Sequence, residues 1–169
     1  MVNFPSPLPD ELIYSLLARA RVKYCEVSPK LLLDKVFGSR FVISSLHFPS
    51  NIQSLVASQL SSSLSTTELV HSHTLFPLYA PFMPDKRRLE CLDAMHDKSF
   101  GQPYLATGFA ASRIPNLKTI RYCPNCMSEQ IDENGEPYWQ RIHQVIGLES
   151  CVRHKTMLEV APYCQSREH

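Results

Sequence analysis

The chain has 169 residues and a mass of 19.3 kDa, is 44% hydrophobic and 20% charged, and balances 17 basic against 16 acidic side chains for a net charge of +1. The length suits one domain or two small ones sharing a core, and the apolar content excludes wholesale disorder. The near-neutral balance excludes nucleic-acid binding by bulk charge alone, and the apolar runs are too short for a membrane span of about 20 residues. The opening MVNFPSPLPDEL lacks the basic stretch of a secretory signal, so a cytoplasmic location is expected.

Proline and capping residues divide the first hundred residues into short helices. Asp10 is positioned to cap a helix to about residue 22 or 24, with Leu12, Ile13, Leu16, Leu17 and Ala20 on one stripe. Ser28 followed by Pro29 starts a second helix and Gly38 stops it. A third is expected from Ser50, with Ile52, Leu55, Val56 and Leu60 inward. Ser65 and Glu68 have capping-box spacing for a fourth, to about His73. Residues 75–84, LFPLYAPFMP, carry prolines that argue for an extended strap along the helical core. A fifth helix from Asp85 to about Ser99 has Leu89, Leu92 and Met95 as its apolar face. Gly101, Pro103 and Gly108 then mark a boundary between a helical part, 1–100, and a second part, 101–169.

Six cysteines in a cytoplasmic chain call for an explanation other than disulfides, and four of them fall in the last third. Cys123-Pro-Asn-Cys126 and Cys151-Val-Arg-His154 are two ligand pairs with metal-knuckle spacing. Each tight turn aims two donors at one point, and two facing knuckles supply the tetrahedron that structural zinc favours. Three thiolates and an imidazole favour zinc over magnesium or calcium. Cys164, His143 and His169 stand as substitutes for His154, while Cys25 and Cys91 read as plain buried thiols. Four protein ligands leave no open position for water, so one structural Zn2+ and no catalysis are expected.

Between the knuckles, residues 127–133 suit a short helix, Asn134-Gly135 is a turn, and Tyr138 and Trp139 are expected to cap the zinc site. Asp132, Glu133 and Glu136 read as a solvated acidic loop. No acidic residue lies between Lys98 and Ser128, where Arg113, Lys118 and Arg121 fall, and Arg153 and Lys155 flank the second knuckle. These five are the candidate phosphate- or partner-contacting cations. No glycine-rich phosphate loop, deaminase signature or His-Glu-x-x-His is present.

Phe4-Pro5-x-Pro7 leading to Asp10-Glu11-Leu12-x-x-Ser15-x-x-Ala18-Arg19, then His73-Thr74-Leu75-Phe76-Pro77-Leu78-Tyr79-Ala80-Pro81-Phe82, Arg121-Tyr122-Cys123-Pro124-x-Cys126, Tyr138-Trp139-Gln140-Arg141 and Cys151-x-x-His154 together resemble the TnsD/TniQ family of bacterial transposon target-site selectors. The likeness covers almost the whole chain and is strongest to the N-terminal part of the longer TnsD proteins. It implies a mainly α fold: a multi-helix, helix-turn-helix-like N-terminal part, then a C-terminal zinc ribbon of small α+β character. It also implies a non-catalytic adaptor linking target DNA, or a guide-RNA effector bound to it, to an AAA+ ATPase transposition regulator. Neither a membrane nor a small-molecule substrate enters this reading. Cys123, Cys126, Cys151 and His154 match the family's zinc ligands, Arg19 matches a family arginine, and Phe4 and Pro5 head an arm expected to meet a partner. The rival reading is a stand-alone zinc-dependent transcription regulator, binding a palindrome as a symmetric dimer.

Overall fold

The computed structural model describes residues 4–40, 42, 46, 48–60, 64–97 and 119–164, the last three of these in backbone only. Helix α1 spans Ile13–Lys23 and α2 spans Pro29–Phe37. Helix α3, Ile52–Leu55, runs on into a π-turn, Val56–Leu60. Helix α4 is Thr66–His73 and α5 is Phe76–Tyr79, with a 3-10 turn at Ala80–Phe82, before α6 at Asp85–His96. Strand β1, Thr119–Tyr122, precedes α7, Pro124–Asn134. A 3-10 turn at Ile142–Gln144 and strand β2, Glu159–Cys164, follow. The fold is mainly helical, with one small antiparallel sheet in which Arg121 faces Val160 and Tyr122 faces Glu159.

The local signals act where no stronger long-range partner competes. Ser28, Pro29 and Gly38 bound α2, and Gly38 takes the left-handed conformation at φ 65° that a β-carbon disfavours. Ser65 and Glu68 form the capping box: Ser65 Oγ accepts the Glu68 N–H at 3.2 Å, and Glu68 Oε2 accepts the Ser65 N–H at 2.7 Å.

Several expectations change. Within residues 75–84, Phe76–Tyr79 and Ala80–Phe82 are helical rather than an extended strap. Pro77 and Pro81 each fall in the first turn of a short helix, where no backbone donor is needed, and Pro84 is the N-cap of α6. Asp10 does not cap α1, whose N-cap is Leu12. Its carboxylate is taken by the distant 3-10 turn, accepting the Ile142 N–H at 2.9 Å and pairing with Arg141 at 2.9 Å. Helix α3 starts one residue later than Ser50 suggests, because Asn51 adopts φ 60° and serves as the N-cap.

The main core is made by α1 to α6. Ile13, Leu16 and Leu17 of α1 meet Leu32 and Val36 of α2, Ile52 and Leu55 of α3, Leu69 of α4, Phe76 of α5, and Cys91 and Met95 of α6. Leu89, expected on the inner face of α6, is exposed, and Cys91 takes that side of the helix. Burying one such side chain contributes about 1.5–3 kcal/mol. The apolar N-terminal arm closes on the same core: Pro5 is buried and Phe4 half-buried against it.

The parts on either side of residue 100 interlock. Leu12 N–H donates to the Trp139 carbonyl at 3.0 Å, Glu11 and Gln140 form a β-bridge, and Arg141 N–H donates to the Asp10 carbonyl at 2.8 Å. Glu11, fully buried, accepts from Leu8 N at 2.9 Å, Ser15 Oγ at 2.9 Å and Arg19 Nη1 at 2.7 Å. Arg19 also pairs with Glu136 at 2.8 Å, so one guanidinium ties the helical part to the loop after α7. Glu136 therefore serves as a tether as well as a solvated loop residue. A second small core, Leu12, Leu46, Ile120 and Ala161, is covered by Tyr14, Tyr122 and Trp139.

Candidate metal centre and its surroundings

Cys123 is the N-cap of α7, Pro124 its first residue, and Cys126 lies in its first turn. Pro124 pre-sets the helical φ there, and the exposed N–H groups of a helix start favour thiolate charge. The second knuckle is a tight hairpin. Cys151 N–H donates to the Thr156 carbonyl and Lys155 N–H to the Cys151 carbonyl, each at 2.8 Å, with Lys155 at φ 58°. His154 N–H points at Cys151 Sγ at 3.4 Å.

The hairpin brings the two pairs together. Cys123, Cys126, Cys151 and His154 present donor atoms that all lie within 4.8 Å of one another. Cys126 Sγ is 3.7 Å from Cys151 Sγ, and His154 Nδ1 is 3.5, 3.3 and 3.7 Å from the sulfurs of Cys123, Cys126 and Cys151. The three cysteines are buried together, with Leu158 packed on them. The cluster can hold a metal ion.

Electrostatics points the same way. Burial, then the neighbouring Cys151 and Cys123, push the Cys126 thiol up to about 12. At Cys151 burial acts upward too, but the N–H of His154, the His143 side chain and the N–H of Arg153 outweigh it and bring the thiol down to about 6. Crowded buried thiols cannot all ionise without a cation among them. Glu129 of α7 faces His154 Nε2 at 3.1 Å and raises that imidazole's pKa, and Arg153 holds the other Glu129 oxygen at 2.9 Å. A carboxylate behind a ligating histidine fixes which ring nitrogen faces the metal.

The remaining candidates are spread out. Arg121 lies on β1, and its guanidinium donates to the carbonyls of Val145 and Leu148, both at 2.6 Å, so it braces the loop before the second knuckle. Arg153 is exposed beside Glu129, and Lys155 donates to the Val152 carbonyl at 2.7 Å. Arg113, Lys118 and His169 lie outside the described residues, as does the Cys164 side chain. Trp139 does not cap the cysteines. It stacks edge-on against Tyr122, with centroids 6.0 Å apart, over the small core shared with α1, because its backbone is bonded to Leu12 and Ser15 there. Tyr138 does line the crevice beside Cys123 and Cys126. Cys91 is a buried thiol, pushed up to about 11 by burial, whereas Cys25 is exposed at φ 49° rather than buried. Spacing alone could not reveal Glu129 or the Glu11–Arg19–Glu136 link, since both depend on chain crossings.

A helical body locked to a Cys3His knuckle pair is the class of protein that this fold and cluster define. The TniQ family model matches residues 2–158, and the chain belongs to that family. Among its relatives is the "Transposon Tn7 transposition protein TnsD" of Escherichia coli, 41% identical over 160 residues. That alignment takes in 94% of this chain and 31% of the relative, so the chain spans about a third of that protein's length. No helix among the described residues is long and apolar enough to cross a membrane.

Proposed function

We propose that this chain is a non-catalytic adaptor in target selection for DNA transposition, built around one structural zinc ion and working in the cytoplasm. The carrying observation is the family match over residues 2–158 together with the relative named as a transposition protein. In this reading the chain links target DNA, or a guide-RNA effector bound to it, to an AAA+ ATPase regulator.

Support for zinc comes from the edge lengths of the cluster. Tetrahedral bonds of about 2.3 Å to sulfur and 2.0–2.1 Å to nitrogen put sulfurs roughly 3.8 Å apart and sulfur and nitrogen roughly 3.5 Å apart. The observed 3.7 Å between Cys126 and Cys151, and 3.3–3.7 Å from His154, have those lengths. A closed tetrahedron gives the ion a scaffolding role. Bound there, it would tie α7 to the second knuckle.

Contact with phosphates would run through Arg153, Lys155, Arg113 and Lys118, while Arg121 shapes the loop beside them. Each phosphate contact adds about one unit to the salt slope of binding. The test is co-precipitation of the chain with the ATPase, with and without target DNA, and DNA binding by Lys118→Ala with Lys155→Ala. Capture of the ATPase and a reduced salt slope support the proposal. Failure to bind the ATPase under any condition, with dimeric binding to a palindrome instead, would favour the transcription-regulator reading.

A further inference from the structure

We propose that His143, which supplies none of the four ligand atoms, donates a hydrogen bond to the Cys126 thiolate of the metal centre and is held there by the helical body. The inference rests on the zinc reading above and deepens it. His143 is 2% exposed, and its Nε2 lies 3.9 Å from Cys126 Sγ. It stands outside the set of donors grouped within 4.8 Å.

Chemistry gives the ring a task. Three thiolates and one neutral imidazole around a divalent cation leave an excess negative charge in a buried site. An N–H directed at sulfur offsets part of that charge without adding a ligand. It also lowers the sulfur electrons in energy and strengthens the site against protonation and metal loss.

The mounting of the ring ties this to the rest of the molecule. His143 sits on the 3-10 turn Ile142–Gln144. At its start, Asp10 accepts the Ile142 N–H at 2.9 Å and pairs with Arg141 at 2.9 Å. At its end, the Gln144 side chain accepts the Arg121 N–H at 3.0 Å and donates to the Arg121 carbonyl at 2.7 Å. Asp10 belongs to the helical body and Arg121 to β1, so the ring is fixed from both parts of the protein. Glu129 braces His154 from α7; His143 reaches Cys126 Sγ from the turn.

The experiment loads the full chain with cobalt(II), which reports on thiolate ligation by its charge-transfer absorption. Elemental analysis of the protein as purified comes first. Missing zinc there sinks the zinc reading, while the cobalt titration still examines His143. In His143→Leu the sulfur-to-cobalt band is expected at lower energy, with metal affinity weakened about 10–100-fold. His143→Gln, which keeps a donor at similar reach, restores most of both. Asp10→Ala is expected to move the band in the same direction by less. An unmoved band in His143→Leu, or loss of the tetrahedral cobalt spectrum there, overturns the proposal, the latter by making His143 a ligand. An unmoved band in Asp10→Ala overturns the mounting from the helical body. Should the leucine variant not fold, imidazole NMR of the unmutated metal-loaded protein decides: a proton on His143 Nε2 supports the donor role, and a bare Nε2 overturns it.

Discussion

The two parts of the molecule hold their shape by different means. Up to residue 97, six helices bury a continuous apolar core that includes Phe76, Leu69, Leu55 and Met95, none more than 1% exposed. From residue 119 onward the buried side chains are Cys123, Cys126 and Cys151 with Leu158 packed on them, Ile120 and Ala161 of the second small core, and the polar Gln130, His143 and Gln144. One part rests on a large apolar core; the other has a small one and, beside it, four donors that can hold a metal ion. The difference teaches that a region too small to bury enough carbon can reach a unique structure through a few strong, directional bonds. On the zinc proposal, the same economy is expected to make it sensitive to metal, protons and its neighbour.

Breaking the centre should separate the two most sharply. Cys126→Ser, or a strong chelator, is expected to unfold residues 119–164 while most helical signal persists, read by hydrogen exchange. Since metal binding must displace the proton of a Cys126 thiol that sits at about 12, apparent affinity should rise with pH near neutrality, about tenfold per pH unit for each proton released. An affinity independent of pH would remove the thiolate cluster from the account.

The link between the parts comes next. Arg19→Met leaves Glu11 buried without its cation and frees Glu136, for an expected loss of about 3–5 kcal/mol in chemical denaturation. Burial already raises Glu11 above its ordinary 4.5, against the pull of Leu8, Arg19 and Ser15. For a raised carboxyl, the stability of the protonated form is present below 4.5 and is lost as pH rises through the folded value. The deficit of Arg19→Met relative to the unmutated chain at the same pH should therefore shrink on acidification; a deficit that grows would contradict the buried-charge account.

Within the helical body, Phe76→Ala should cost about 3–5 kcal/mol by opening a cavity, with the metal stoichiometry of the folded protein unchanged. The smallest effect is Ser65→Ala, about 1 kcal/mol from loss of the α4 capping box, seen as a lower melting temperature. A metal-affinity change in Ser65→Ala would show that the two parts are more tightly coupled than their cores suggest.

Legibility followed the range of the deciding interaction. The capping box, the Gly38 stop and the two knuckles rest on residues a few positions apart, and the sequence carries them in full. By local rules the prolines of 75–84 are helix breakers, because each lacks a backbone donor. Their fit as first-turn residues depends on where each short helix begins. Asp10 has the chemistry of a cap, but Arg141 and Ile142 compete for it from far along the chain. Trp139 is near the cysteines in sequence, but its backbone bonds hold it against α1.

Local spacing carries the helical class, most helix limits and the two ligand pairs, because it sets which side chains can meet within one turn of chain; that the two pairs converge, with His154 as fourth donor, depends on the fold. Only the tertiary structure decided that Arg19 bridges Glu11 and Glu136, that Arg121 braces a loop, and that Glu129 and His143 stand behind the ligands. Those contacts join residues brought close by packing, and their strength comes from burial, a property that no linear spacing encodes.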